Sequence, residues 1–179
     1  GTSHAERGLA VIYTRLLGGM GNQLFQYASG RALANHLGTE LVLDRRYIAD
    51  SKNRGDCFEN FKNTRFLEAS TLPPAKMEGM LRYFLWRKFG RNPRFHRETH
   101  LGFNPDFFDL PDQTYLHGYW QSEKYFEGIA DQIRKDLRFT TPLDKANANM
   151  AVQIAKAPCP LALHVRRGDY LVSGAYVAC

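Results

Sequence analysis

The chain has few cysteines and no long apolar run. Its three cysteines, Cys57, Cys159 and Cys179, lie far apart without a Cys-x-x-Cys pair, which argues against a disulfide framework or a structural zinc site. We therefore predict a cytoplasmic, reducing environment. No apolar stretch reaches the roughly 18 residues of a membrane-spanning helix. Residues 1–8 are polar and lack the apolar core of a secretory signal, so we interpret them as a tag-like or flexible leader.

The composition is that of a folded chain with an anion-attracting surface. Of the 179 residues, 44% are hydrophobic, which suffices for one well-buried core and the beginning of a second. Lys and Arg outnumber Asp and Glu by 24 to 18, and the net charge is +6. Such a surface attracts phosphates, acidic glycans, nucleic acid or lipid headgroups. The charge indicates the sign of the partner and not its identity.

The N-terminal region has the pattern of a β-α-β unit. Apolar and β-branched residues over 9–17 predict a strand, and glycines follow within residues 18–21. Apolar residues then recur at helical spacing over 24–37, and Gly38 is placed to end that helix. A short apolar strand covers residues 41–44. This order predicts an α/β fold with a Rossmann-like parallel sheet and flanking helices.

The middle of the chain is less regular. Residues 45–74 are polar and rich in turn formers, and we predict a loop-rich insertion there. A helical pattern begins at Met80 and is broken at Gly90, and residues 114–120 predict another strand. Helices with N-caps at Ser122 and Asp144 are expected to run to Leu137 and Ala157 and to cover the sheet.

A domain boundary is predicted near residues 157–160, where two prolines interrupt the chain. The first domain would cover residues 9–157. Residues 158–179 would begin a second domain, and the alternation of apolar and polar residues over 161–166 predicts its first strand.

The glycine turn is the first candidate site. Gly19 and Gly21 permit a tight turn whose backbone N–H groups face a ligand, beside the positive end of the following helix. Asn22 and Gln23 can exchange hydrogen bonds with a hydroxyl-rich ligand. A purely structural turn with Asn22 as a cap explains the same glycines. A dinucleotide-binding turn is disfavoured, because Leu24 occupies the position of the third glycine of G-x-G-x-x-G.

The stretch LHVRRGDY is the second candidate site. The two-residue repeat of a strand places His164 and Arg166 on one face, with Arg167 and Asp169 at the carboxyl end where α/β sheets bind ligands. A guanidinium there needs an anion, which is either Asp169 in a structural pair or a bound pyrophosphate. The Arg-Gly-Asp tripeptide alone says little about adhesion, because it also occurs at residues 54–56.

Together and in this order, GGMGNQLFQYASGRALA, LHGYWQSEKYF and HVRRGDY resemble the N-terminal part of the α-1,2-fucosyltransferase family. The resemblance runs from about Leu16 to Tyr170, with little contribution from residues 45–110. It implies a GT-B-like architecture of two Rossmann-like domains facing a cleft. It also implies transfer of L-fucose from GDP-fucose to the 2-hydroxyl of a galactose in a glycan, with inversion.

The resemblance further implies roles for individual residues. Arg166 would lie nearest the β-phosphate of GDP-fucose and hold the charge of the departing GDP. Asp169 would orient an arginine or, alternatively, act as the general base. No metal is expected, since arginine would take the place of magnesium and the sequence has no Asp-x-Asp. His164 and Arg167 would be the other donor-side residues, and Gly19, Gly21, Asn22 and Gln23 would face them across the cleft.

Two alternatives stay open at this point. Members of the family continue well past the H-x-R-R-G-D strand, whereas nine residues follow Tyr170 here. We therefore expect a truncated second domain, without most of the guanine and ribose pocket, and a chain that is poorly active alone.

The first alternative function is that of a non-catalytic module that binds a glycan or nucleotide. The second is a basic nucleic-acid-binding module, although no specific nucleic-acid partner is expected.

The segment from Arg82 to Arg97 contains six Lys or Arg residues and no acid, interleaved with aromatic residues. Such a segment can bind nucleic acid. It can also be an amphipathic helix, with Phe84 and Leu85 inward and with Arg87 and Arg91 in solvent. A third interpretation is peripheral docking on an anionic membrane that presents a lipid-linked acceptor.

Overall fold

The computed structural model describes residues 10–49, 56–68 and 72–163. These residues fall into two compact units, the first ending at Thr140 and the second beginning at Thr141. The first unit contains the sheet and both motifs that lie within the described residues. The second is a single helix with its flanking segments.

A parallel four-stranded sheet forms the centre of the first unit. Its strands are β1 (Val11–Arg15), β2 (Glu40–Asp44), β3 (Arg94–Arg97) and β4 (Thr114–His117). They lie in the order β2-β1-β4-β3, and every neighbouring pair is parallel. The predicted α/β class with a Rossmann-like parallel sheet is confirmed. Because β1 and β4 are the central strands, the segments that follow them leave the sheet side by side.

The α-helices of the described residues are α1 (Met20–Leu37), α2 (Arg46–Ala49), α3 (Met80–Phe89), α4 (Ala130–Asp136) and α5 (Lys145–Lys156). The first of them, α1, joins β1 to β2. The helix α1 begins after the extended residue Gly19 and ends at Gly38, whose φ of 66° is left-handed. The predicted β-α-β unit and its terminating glycine are therefore confirmed.

Alternate side chains of the central strands pack on opposite faces of the sheet. Ile12 and Leu116 belong to the main core, which α1 covers. Tyr115 faces the other way and packs in a smaller aromatic cluster with Tyr83 and Trp86 of α3. The two-residue period places Arg15 and His117, at the ends of their strands, on the α3 side of the sheet as well.

The inward face of α3 differs from the expected one. Tyr83 and Trp86 are buried, whereas Phe84 and Leu85 are about half exposed, so the prediction that the latter pair faces inward was wrong. The reason is β3, an unpredicted strand whose Phe95 packs edge-on against both buried rings, with ring centroids 6.4 and 5.4 Å away. This aromatic packing fixes the rotation of the helix.

The helix expected after Ser122 also begins later. Two short 3₁₀ turns occupy residues 123–129, the serine makes no side-chain cap, and the α-helix starts at Ala130. Tyr125 explains the delay, because its ring is buried and its hydroxyl donates to Gly102 O at 2.9 Å. Holding this residue in the core competes with continuous helical geometry.

The second unit contains α5 at the predicted position in the sequence, and the prediction that this helix covers the sheet stays a prediction. Asp144 caps it, since Oδ1 accepts a hydrogen bond from Asn147 N at 2.8 Å. Residues 161–163 are in no strand, and the remainder of the strand predicted there lies outside the described residues. The proposed domain boundary near residues 157–160 stays a prediction.

Candidate functional site

Two of the three sequence motifs meet at the carboxyl edge of the sheet. Gln26 on α1 joins them, because its Oε1 accepts from Leu17 N at 2.8 Å and its Nε2 donates to Gly118 O at 3.1 Å. A second bond runs from Gln121 Nε2 to Asn22 Oδ1 at 2.7 Å. The glycine turn after β1 and the loop after β4, nearly 100 positions apart in sequence, therefore form one surface.

The shape of the glycine turn depends on Gly18. Its φ is 78°, and a Cβ at this position would lie 2.5 Å from Asn22 Nδ2, so a side chain is disfavoured by both conformation and space. The next two glycines of the motif, Gly19 and Gly21, have nothing within 4 Å of an added Cβ. They leave the backbone at the start of α1 open.

Asn22 and Gln23 occupy different positions relative to this surface. The side chain of Gln23 is fully buried, donates from Nε2 to Gly18 O at 3.1 Å and accepts from Cys57 N at 3.2 Å. It holds the turn from beneath. Asn22 is only partly buried and lies at the rim. The ligand contacts predicted for both residues, and for the glycines beside them, stay predictions.

Arg15 and His117 form a polar pair at the ends of the two central strands. Arg15 Nη1 donates to His117 Nδ1 at 3.1 Å and to Tyr83 OH at 3.5 Å. The guanidinium carbon lies 3.3 Å from the centre of the Tyr47 ring. Arg15 Nε is buried without a hydrogen-bond partner, and no carboxylate of the described residues is within ion-pair distance. The direct contacts of the cation are thus with neutral groups, and Asp44, its register partner on β2, forms its ion pair with Arg46 instead.

This pairing fixes the tautomer of His117. A guanidinium can only donate, so Nδ1 must accept and the ring proton lies on Nε2. Burial, and after it the nearby charges of Arg15, Arg97 and Arg87, together lower the pKa of His117 to about 4. The imidazole is therefore neutral at pH 7 and offers an N–H donor.

A cleft of about 380 Å³ opens at this edge. Leu17, residues 97–101 and residues 117–119 line it, so each of three strands contributes the segment that follows it. Its rim is held by Glu98, whose carboxylate accepts hydrogen bonds from the backbone of Tyr119 at 2.6 Å and of Trp120 at 3.1 Å. The cleft has the size of a small-ligand site, and both apolar and polar groups line it.

Asp44 at the end of β2 is fully occupied. Arg46 donates to both of its oxygens, from Nε at 2.9 Å and from Nη2 at 2.7 Å. The hydroxyl of Tyr115 donates to the second oxygen at 2.7 Å. The carboxylate is completely buried, so it is not presented to a ribose hydroxyl as in a dinucleotide-binding fold.

The donor-side residues of the third motif, His164, Arg166, Arg167 and Asp169, lie outside the described residues, and their roles stay predictions. Across the part of the chain that the structure describes, no three His, Cys, Asp or Glu side chains are arranged to hold a metal ion.

Sequence reasoning did not single out Arg15 or His117. The signal for His117 was its place inside LHGYWQSEKYF, and the signal for Arg15 was a charge at the end of an otherwise apolar strand.

Comparison with known proteins adds to this arrangement. The model of glycosyl transferase family 11 matches residues 4–179. The alpha-1,2-colitosyltransferase of Escherichia coli is 26% identical over 172 residues, which cover 91% of this chain and 56% of that protein. The chain therefore spans just over half the length of this relative. No solved structure gives a significant match.

Proposed function

The chain belongs to glycosyl transferase family 11, and from this premise we propose that it contributes to an enzyme that transfers L-fucose from GDP-fucose to a glycan. The acceptor atom in this proposal is the 2-hydroxyl of a galactose, and the sugar carbon inverts. Membership of the family supports a nucleotide-sugar donor and a glycan acceptor. Fucose, galactose and the GT-B-like architecture are the finer part of the proposal, and the resemblance of the three motifs supports them.

The observation that carries the proposal is the meeting of the glycine turn and the loop after β4 at the carboxyl edge. Ligands of parallel α/β sheets bind at this edge. The groups presented there, Asn22 and the neutral ring of His117, form uncharged hydrogen bonds of the kind that sugar hydroxyls accept and donate. We assign the acceptor sugar to this edge, where His117 lines the cleft and Asn22 lies on the joined glycine turn.

The proposed reaction is a single displacement. The acceptor oxygen forms a bond to C1 of fucose while the bond from C1 to the β-phosphate oxygen breaks, and GDP leaves with the bonding electrons. In the proposal Arg166 stabilises the charge on that phosphate without a metal, and Asp169 orients an arginine. The hydroxyl proton passes to a base. With a pKa of about 4, His117 is a weak proton acceptor at neutral pH, so we assign it a positioning role.

A second candidate donor is activated colitose, because the relative from Escherichia coli is a colitosyltransferase. Colitose lacks the 3-hydroxyl of fucose. A site that hydrogen-bonds this hydroxyl rejects the deoxy sugar strongly, whereas a site that leaves it in solvent accepts both sugars. The two donors can therefore be separated in one competition assay.

The donor part of the proposal is tested by calorimetric titration of the chain with GDP-fucose and GDP-colitose, with Arg166→Ala as the comparison. We expect one of the two donors to bind, and the variant to lose that binding. Donor binding that Arg166→Ala leaves unchanged would remove this residue from the donor site. Absence of binding for both nucleotide sugars would contradict a working donor site within this chain.

The acceptor part is tested separately with a β-galactoside. We expect Asn22→Ala to weaken galactoside binding by about tenfold, the usual effect of one lost hydrogen bond. Asn149→Ala on the exposed surface of α5 is the matched control and should bind as the unsubstituted chain does. Equal binding by both variants would exclude Asn22 from the acceptor site.

A further inference from the structure

The outward side of α3 and of the turn before it is apolar and exposed. Its large apolar side chains have between 50% and 74% of their surface in solvent. We call this surface the α3 outer face, and its members are Met77, Met80, Leu81, Phe84, Leu85 and Phe89. Contiguous apolar patches of this kind on a protein surface indicate an interaction site.

Basic residues border the α3 outer face. Arg82 and Lys88 are exposed on the helix itself. Beside its C-terminal end lies a cleft of about 570 Å³ whose lining includes Lys88, Arg91 and Arg94 and one acid, Asp112. No carboxylate of the described residues forms an ion pair with any of these four bases. Their positive charge is therefore available to a partner.

We propose that the α3 outer face docks on an anionic phospholipid bilayer. The apolar side chains would enter the boundary between headgroups and acyl chains, and the surrounding Lys and Arg side chains would bind lipid phosphates. In the described part of the chain no helix is long and apolar enough to cross a bilayer, so this contact is peripheral. The inference rests on the surface of α3 and is independent of the proposed transfer reaction.

Charge complementarity favours a bilayer over other occupants. A nucleic acid would use the basic groups and leave Leu81, Leu85 and both methionines in water. A protein partner would need acids opposite the bordering bases, such as Arg82 and Lys88, in addition to an apolar surface. A second copy of this chain would bring two predominantly basic surfaces together, and these repel each other. An anionic bilayer offers partners to the apolar and to the basic groups at once.

The experiment is co-sedimentation of the chain with vesicles of phosphatidylcholine, with and without about 30% phosphatidylglycerol. We expect binding to the anionic vesicles to be stronger by at least about tenfold, since each nearby base contributes roughly fivefold. The double variant Leu81→Gln/Leu85→Gln should lose at least about tenfold in this binding. Both side chains are exposed, so the fold should be retained, and circular dichroism checks it.

The matched control is Met150→Gln/Ile154→Gln on α5, which removes two apolar side chains of similar exposure at the same spacing. We expect it to bind vesicles as the unsubstituted chain does. Lys88→Gln/Arg91→Gln should lose binding to anionic vesicles and its dependence on salt.

Several outcomes would overturn the inference. They are equal binding to neutral and anionic vesicles, equal loss in the α3 and α5 variants, and a dimer in light scattering that the α3 variant dissociates. Displacement of the chain from vesicles by a short RNA at equimolar concentration would favour a nucleic-acid site instead.

Discussion

Two arginines at the carboxyl edge of the same sheet are held in opposite ways. Arg46, just after β2, donates to both oxygens of the buried Asp44. Arg15, at the end of the neighbouring strand, has no carboxylate partner among the described residues and rests against the ring of Tyr47 and the imidazole of His117. The residue type and the position in the sheet are similar, and the electrostatic surroundings differ.

The difference separates a structural arginine from one that can respond to a ligand. Arg46 also donates to Glu78 at 2.8 Å and to Pro73 O at 2.7 Å. Its charge is therefore paired, and its donors bind loop residues to the end of β2. A partly buried cation whose direct contacts are neutral groups can still bind an anionic or polar group of a ligand. Arg15, which contacts His117 beside the cleft, is such a cation, and Arg46 is not.

The largest expected effect on stability comes from removing the buried counter-charge of Arg46. Asp44→Asn should lower the free energy of unfolding by about 3 kcal/mol, because it leaves a guanidinium without its buried counter-charge. Urea unfolding at pH 7 measures this. Glu78→Gln is the control, since that carboxylate is half exposed, and its loss should cost less than about 1 kcal/mol. Similar losses in both variants would show that burial of Asp44 does not decide the strength of the pair.

A smaller effect on stability is expected when the pH is lowered and His117, beside Arg15, becomes protonated. The folded-state pKa of His117 is about 4, below the ordinary 6.5, so the unfolded chain takes up the proton first as pH falls. The stability that neutral His117 contributes is complete above pH 6.5 and is lost between 6.5 and 4. We expect a loss of about 2 kcal/mol, because solvent partly screens the three arginines.

The control for this titration is His117→Gln, which can still accept a hydrogen bond from Arg15 and has no charge to gain. Thermal unfolding across this pH range should show a shallower decline for the variant. His96, whose pKa burial and then Arg94 also lower, titrates in both proteins and cancels. If the unfolding temperatures of the two proteins declined in parallel with pH, the protonation of His117 would not be the cause of the loss of stability.

The sequence predicted one part of this edge and could not predict the other. The glycine turn and the helix after it follow from local signals, namely apolar periodicity and Gly38. The strand β3 is four residues of RFHR, a pattern without β periodicity that becomes a strand only by pairing with β4. The contact between Arg15 and His117 joins positions 102 residues apart, and no local pattern encodes such a distance. For the same reason the inward face of α3 was misassigned.

The smallest expected effect on stability, and the most direct test of the comparison, is that of Arg15→Gln. Because no carboxylate of the described residues forms an ion pair with this cation, its removal should change the free energy of unfolding by less than about 1 kcal/mol. Arg46→Gln should lower the free energy of unfolding by about 3 kcal/mol, since it leaves the buried Asp44 carboxylate without its counter-charge. Urea unfolding of the two variants at pH 7 compares them directly. Equal destabilisation would erase the distinction between the two arginines.

Galactoside binding gives the second readout for Arg15→Gln. Without the guanidinium, Nδ1 of His117 is no longer forced to accept, so the Nε2–H donor is present only part of the time. We expect galactoside affinity to fall several-fold and the pKa of His117 to rise, because one of the charges that lowers it is gone. NMR titration of the imidazole measures the pKa, and a purely structural Arg15 would leave affinity unchanged. A raised pKa with lost affinity would show that the under-neutralised arginine acts through the histidine beside the cleft.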